Sequence, residues 1–107
     1  MKKIMSIIFL MVILSSTAAA SVITVDDDLS DCPGANYTMI QPAINNASNG
    51  DTIIVCKGSY QENVVVNRTL NLTGIGLPVI DGMNIGSTVT ITSPSSIISS
   101  FKIINSK

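Results

Sequence analysis

The sequence predicts an all-β chain, a small solenoid of stacked short strands whose first coil is covered by one amphipathic helix. Three observations carry that expectation. From Asp51 onward the apolar residues alternate with period two, in short runs separated by a few polar or turn residues. Apolar pairs also recur at about one coil length. Val64/Val66 return as Val89/Ile91, 25 residues on, and Leu70/Leu72 are answered by Ile97 near the same offset. Only one segment, residues 38–47, carries a helical period, and the residues after it have room for about two coils.

The N-terminus is an export signal in three parts. Met1-Lys2-Lys3 is a positive start, residues 4–14 are apolar except for Ser6, and Ser15, Ser16 and Thr17 lead to Ala18-Ala19-Ala20. Small residues at the −3 and −1 positions place cleavage after Ala20. The apolar run is too short for a membrane span, which needs about 20 residues. No membrane span is therefore expected once the signal is cleaved, and the chain divides into residues 1–20 (signal peptide), 21–50 (first strand, loop and helix) and 51–107 (first coils). The expected location is extracytoplasmic, secreted or at the cell surface.

Beyond residue 20 the cations are Lys57, Arg68, Lys102 and Lys107, against Asp26, Asp27, Asp28, Asp31, Asp51, Glu62 and Asp81, a net charge of −3. With no basic cluster to neutralise phosphates, nucleic-acid binding is set aside. Cys32 and Cys56 are an even pair in an exported chain and are expected to form a disulfide. Two thiols without histidine or a second pair do not make a zinc site. Four Asn-x-Ser/Thr triplets, at Asn36, Asn46, Asn67 and Asn71, are candidate glycosylation acceptors.

Val22-Ile23-Thr24-Val25 reads as the first strand. The run Asp26-Asp27-Asp28, followed by Asp31-Cys32-Pro33-Gly34, reads as a solvated acidic loop. Calcium needs oxygens that converge, and three consecutive carboxylates are expected to diverge, so no metal is assigned. In the helix, Ile40, Ala43, Ile44 and Ala47 share one face. Thr38 and Gln41 fit a capping box, Pro42 sits in the first turn, and Asn49-Gly50 provides the stop. The later strands are expected around residues 52–56, 63–66, 70–72, 78–80, 88–92, 96–98 and 101–105. Asn67, Asn71 and Asn105 fall at strand edges, where stacked amides can share hydrogen bonds. Such strands also suit a small sandwich, but the recurrence in register and these Asn positions favour the solenoid.

The order of parts has a family look. Tyr37-Thr38-Met39-Ile40-Gln41, Ala43-Ile44, Gly50-Asp51-Thr52-Ile53-Ile54-Val55, Gly58-Ser59-Tyr60, Glu62-Asn63-Val64, Leu70-Asn71-Leu72-Thr73-Gly74 and Val79-Ile80-Asp81-Gly82 follow one another. This succession resembles the N-terminal segment of right-handed parallel β-helix proteins of the pectin-lyase-like superfamily. It is most similar to NosD-like secreted surface proteins common in methanogenic archaea. The resemblance implies that the helix caps the first coil, and a Cys32–Cys56 bond would then fix that cap to the stack. Gly58, Tyr60 and Glu62 are read as a turn, a packing aromatic and a polar rim residue. Family members usually carry many coils, whereas this chain stops after about two. That departure implies a truncated reading frame or self-association through the open C-terminal end.

A fold of this kind does not fix an activity. The reading is a non-catalytic surface module, structural, adhesive or carbohydrate-binding, whose partner classes are extracellular carbohydrate and other surface proteins. No catalytic residue and no cofactor are assigned. A pectate-lyase-like enzyme is the first alternative, but Arg68 and Lys57 stand isolated and the acids lie mostly before the coils. Copper handling is the second. Its ligand supply is poor, with no histidine and only Met39 and Met83 beyond the signal.

Overall fold

The computed structural model describes residues 19–107. The expected signal peptide lies outside the described residues except for Ala19 and Ala20, which are exposed and without regular structure. Among the described residues no helix is long and apolar enough to cross a membrane.

Among the described residues, nine short strands and one helix follow in the order β1 (Val22–Val25), α1 (Ile40–Asn45), β2 (Thr52–Val55), β3 (Ser59–Gln61), β4 (Val64–Val66), β5 (Asn71–Gly74), β6 (Val79–Asp81), β7 (Val89–Ile91), β8 (Ile97–Ser99) and β9 (Lys102–Ile104). They form three sheets, with strand orders β1-β2-β5-β8, β3-β6-β9 and β4-β7. Every pairing is parallel. From β2 onward the chain visits the three sheets in fixed rotation and returns to each only after passing through the other two. Parallel neighbours cannot be joined by a tight hairpin; here the other two sheets provide the crossover.

The circuits differ in length. Thr52 pairs with Asn71 and Asn71 with Ile97, steps of 19 and 26 residues, while Val64 pairs with Val89 after 25. Because side chains alternate along a strand, residues in register line up in columns. Ile23, Ile53, Leu72 and Ile98 form one column, Tyr60, Ile80 and Ile103 a second, and Val64 with Val89 and Val66 with Ile91 two more. Their middle members are fully buried and form one core with Val25, Ile40, Ala43 and Ile44. Each such side chain contributes about 1.5–3 kcal/mol through burial.

Tight corners let three-residue strands change sheet. Leu77 and Ser100 adopt left-handed backbone (φ 53° and 66°) just before β6 and β9, the two equivalent corners. Gly74 meets a different constraint, since a Cβ there would run into the Ser100 carbonyl oxygen and the Pro78 ring.

Four expectations need correction. The helix is shorter than residues 38–47, and no side chain of its own end caps it. The three-residue strand β3 went unpredicted because Ser59 and Gln61 flank a single apolar residue, Tyr60. Leu72 is answered by Ile98 rather than Ile97, which faces Asn71. The asparagines do not form a ladder with one another: Asn71 stands between Thr52 and Ile97, and Asn105 donates to Asp81 Oδ1 at 2.8 Å.

Candidate functional site

Several polar residues of the recognisable motifs lie where α1 packs. The helix lies against β1, β2 and β4 with Ile40, Ala43 and Ile44 buried. Six residues leave most of the N–H and C=O groups of a helix without internal partners. Here those partners come from the connections on either side of β4. The Glu62 carboxylate accepts from Ile40 N at 2.7 Å and Gln41 N at 2.9 Å. At the other end Arg68 Nη1 donates to Ile44 O at 2.6 Å. Thr38 is therefore not the cap, Glu62 is a buried cap rather than a rim residue, and Arg68 is not isolated.

Gln41, expected in the capping box, does something else. Its Oε1 accepts from Val65 N at 2.8 Å and its Nε2 donates to Val65 O at 3.0 Å. The side-chain amide thus takes the place of a neighbouring strand on the outer edge of β4, an edge that would otherwise present unpaired backbone groups.

Asp51 closes the turn before β2. Its two oxygens accept from Ser21 N (2.8 Å) and Ser48 N (2.9 Å). The Ser48 and Ser21 N–H groups hold its carboxyl below the usual carboxylate range. The Tyr60 hydroxyl donates to Cys56 O at 2.8 Å and accepts from Asp27 N at 3.1 Å. Burial pushes it well above the ordinary tyrosine range, and the Asp27, Asp26 and Asp28 charges add to that. Asn63 Nδ2 reaches the carbonyls of Ile85 (2.6 Å) and Ser87 (3.0 Å) and so fastens the loop of the next circuit. Asp81 is held below the usual range by Asn105 and by the Met83 N–H.

The acidic segment differs from the expected solvated loop. Asp26 is fully buried, and its Oδ2 accepts from Asp31 N (2.9 Å) and Cys32 N (2.6 Å). Asp27 turns away to accept from Ser59 N at 3.0 Å, its carboxylate lying against Gly58, where a Cβ would collide with it. Asp28 Oδ1 accepts from Ser30 N at 2.9 Å, and Leu29 takes left-handed backbone (φ 58°) between them. The chain folds back on itself, and carboxylate oxygens of Asp26, Asp28 and Asp31 come within 4.8 Å of one another. Of the three consecutive carboxylates Asp27 does diverge, while Asp26 and Asp28 stay close and Asp31, from further along the loop, joins them.

Cys32 and Cys56 are joined, with Cα atoms 6.5 Å apart. The bond ties the acidic loop to the residue that follows β2.

The four glycosylation candidates are exposed but not equivalent. Asn36 Oδ1 accepts from Thr24 N, and Asn46 Nδ2 donates to Pro42 O at 2.9 Å. Asn71 lies within β5, and Asn67 lies in the connection between β4 and β5.

A search of curated proteins gives a relative in the methanogen Methanothermus fervidus, a cell surface glycoprotein. It is 32% identical over 110 residues, covering all of this chain and 18% of that protein. The chain thus spans less than a fifth of the length of the curated relative it matches. No protein-family model matches the chain. No solved structure matches it either.

Proposed function

We propose that the chain is a non-catalytic structural module of the cell exterior, the capped start of a right-handed parallel β-helix. One observation carries this reading: the side chains that stand out in the sequence are engaged in holding the stack together. Asp51, Tyr60, Glu62, Asn63 and Arg68 all direct their polar atoms to backbone groups of neighbouring segments. A catalytic constellation needs groups that converge on a place where a substrate can sit. The likeness to a methanogen cell surface glycoprotein and the lysine-flanked apolar N-terminus support an extracytoplasmic address. The rotation of the chain through three parallel sheets supports the β-helix reading. On this reading residues 1–20 are the signal, 21–50 the cap and 51–107 the first coils.

The partner proposed is protein surface of the same kind. The last strands expose apolar residues that occupy inward columns, Ile91 at 49% and Ile103 at 47%. Further coils or a second copy of this chain would cover them. Glycosylation belongs to the same proposal, with Asn67 as the first acceptor because Asn46 has its amide nitrogen engaged with Pro42 O.

Expression of the whole gene in an archaeal host, with cell fractionation and intact-mass measurement, tests the reading. The expected product sits outside the membrane, begins at Ser21 and carries glycan mass that Asn67→Gln removes. A product that stays inside the cell with Met1 or Lys2 as its first residue would overturn it.

A further inference from the structure

We propose that Asp26, Asp28 and Asp31 form a calcium site that locks the acidic loop onto the covered end of the stack. Three observations converge. First, these carboxylates present oxygens within 4.8 Å of one another. Calcium–oxygen bonds of about 2.3–2.6 Å allow ligand oxygens to stand up to about 5 Å apart across one ion. Magnesium bonds of about 2.0–2.1 Å and its near-ideal octahedron ask for a tighter group.

Second, and independently of the clustering, Asp26 is at 0% exposure and its Oδ1 has no hydrogen-bond partner among the described residues. Its other oxygen is fully used, accepting from Asp31 N and Cys32 N. Buried polar atoms are nearly always partnered, and a carboxylate oxygen is costly to leave bare. A cation bound among the three carboxylates would supply a partner for that oxygen.

Third, the loop is built on a fixed base. Asp26 directly follows β1, and Cys32 is held both by its N–H bond to Asp26 and by the disulfide to Cys56. Asp28 and Asp31, both exposed, leave the remaining coordination positions to water, as calcium sites of modest affinity do. The site would thus act together with the disulfide in holding the cap.

Calorimetric titration of the folded, secreted chain with calcium chloride after chelator treatment tests this, with magnesium chloride as the second arm. One calcium per chain is expected, with Kd of about 0.1–1 mM, the range of extracellular modules. Saturating calcium should also raise Tm by several degrees, since it binds the folded chain alone. Asp28→Asn and Asp31→Asn alter exposed residues and should fold normally, checked by circular dichroism, while weakening calcium at least tenfold. Absence of calcium binding would overturn the proposal, as would wild-type affinity in both variants or magnesium binding as tightly as calcium.

Discussion

Replacing Glu62 isolates what the connection between β3 and β4 contributes to the helix. Its carboxylate receives two charge-assisted hydrogen bonds, from Ile40 N and Gln41 N. Ile40 is fully buried, so in Glu62→Ala its N–H loses the carboxylate with no water to replace it. An unsatisfied buried donor costs about 1–3 kcal/mol. Gln41 is only half-buried, so water can take its N–H, and that loss is nearer 1 kcal/mol. The sum is about 3 kcal/mol. Glu62→Gln keeps one acceptor and turns an amide NH2 toward the other donor, so it should cost about half as much. With an m-value of about 1 kcal/mol/M in urea, the midpoint falls by about 3 M for Ala and half that for Gln. Amide exchange at Ile40 should speed up in step with the midpoint. A Glu62→Ala midpoint within about 0.5 M of wild type, or an Ile40 amide as protected as before, would refute the capping argument. The helix would then be held by its apolar face alone.

Other consequences arise from the same geometry. Removing the disulfide with Cys32→Ser and Cys56→Ser should cost about 3–4 kcal/mol, the loop-closure value for a separation of 24 residues, read as the difference between urea midpoints of variant and wild type. Gly74→Ala forces a Cβ onto the Ser100 carbonyl and the Pro78 ring, so calorimetry should show Tm lowered by several degrees. Acid should destabilise the fold through Asp51 and Asp81, whose carboxyls are held below their unfolded value of 3.8. Their contribution is complete above that value and is lost as pH falls through the lower folded values. Circular dichroism should therefore show stability decreasing below about pH 4, and Asp51→Asn should flatten that decrease.

Much of the architecture was legible because one face of each strand from β2 to β6 is buried. Val64/Val66 and Val89/Ile91 pair as the 25-residue recurrence implied, since a one-residue slip would turn those side chains outward. Where the pattern thinned, the reading slipped. At β8 two adjacent isoleucines, Ile97 and Ile98, both suited the inward column, and only the register distinguishes them. The site was less legible for a different reason. Glu62 caps a helix that begins 22 residues earlier, and Gln41 completes an edge 24 residues later. Local rules such as the capping box look three residues ahead and cannot see such a partner. The acidic loop misled because a triplet of like charges reads as solvated, while Asp26, directly after β1, is buried where Asp31 and the disulfide-bonded Cys32 fold back onto it.

The first and last strands of the parallel sheets have different physical problems, and that difference organises the molecule. At the covered end an apolar face of α1 meets β1, β2 and β4, and backbone groups of Ile40, Gln41, Ile44 and Val65 are met by side chains from other segments. The disulfide and the acidic loop lie at the same end. At the far end β7, β8 and β9 each have a parallel neighbour on one side, and their inward residues grow more exposed, from the fully buried Val66 to Ile91 at 49%. A strand with a parallel neighbour on one side only has fewer contacts to hold it than one between two neighbours. The far circuit therefore has the lower local stability and opens first, and it gains most from anything laid against it.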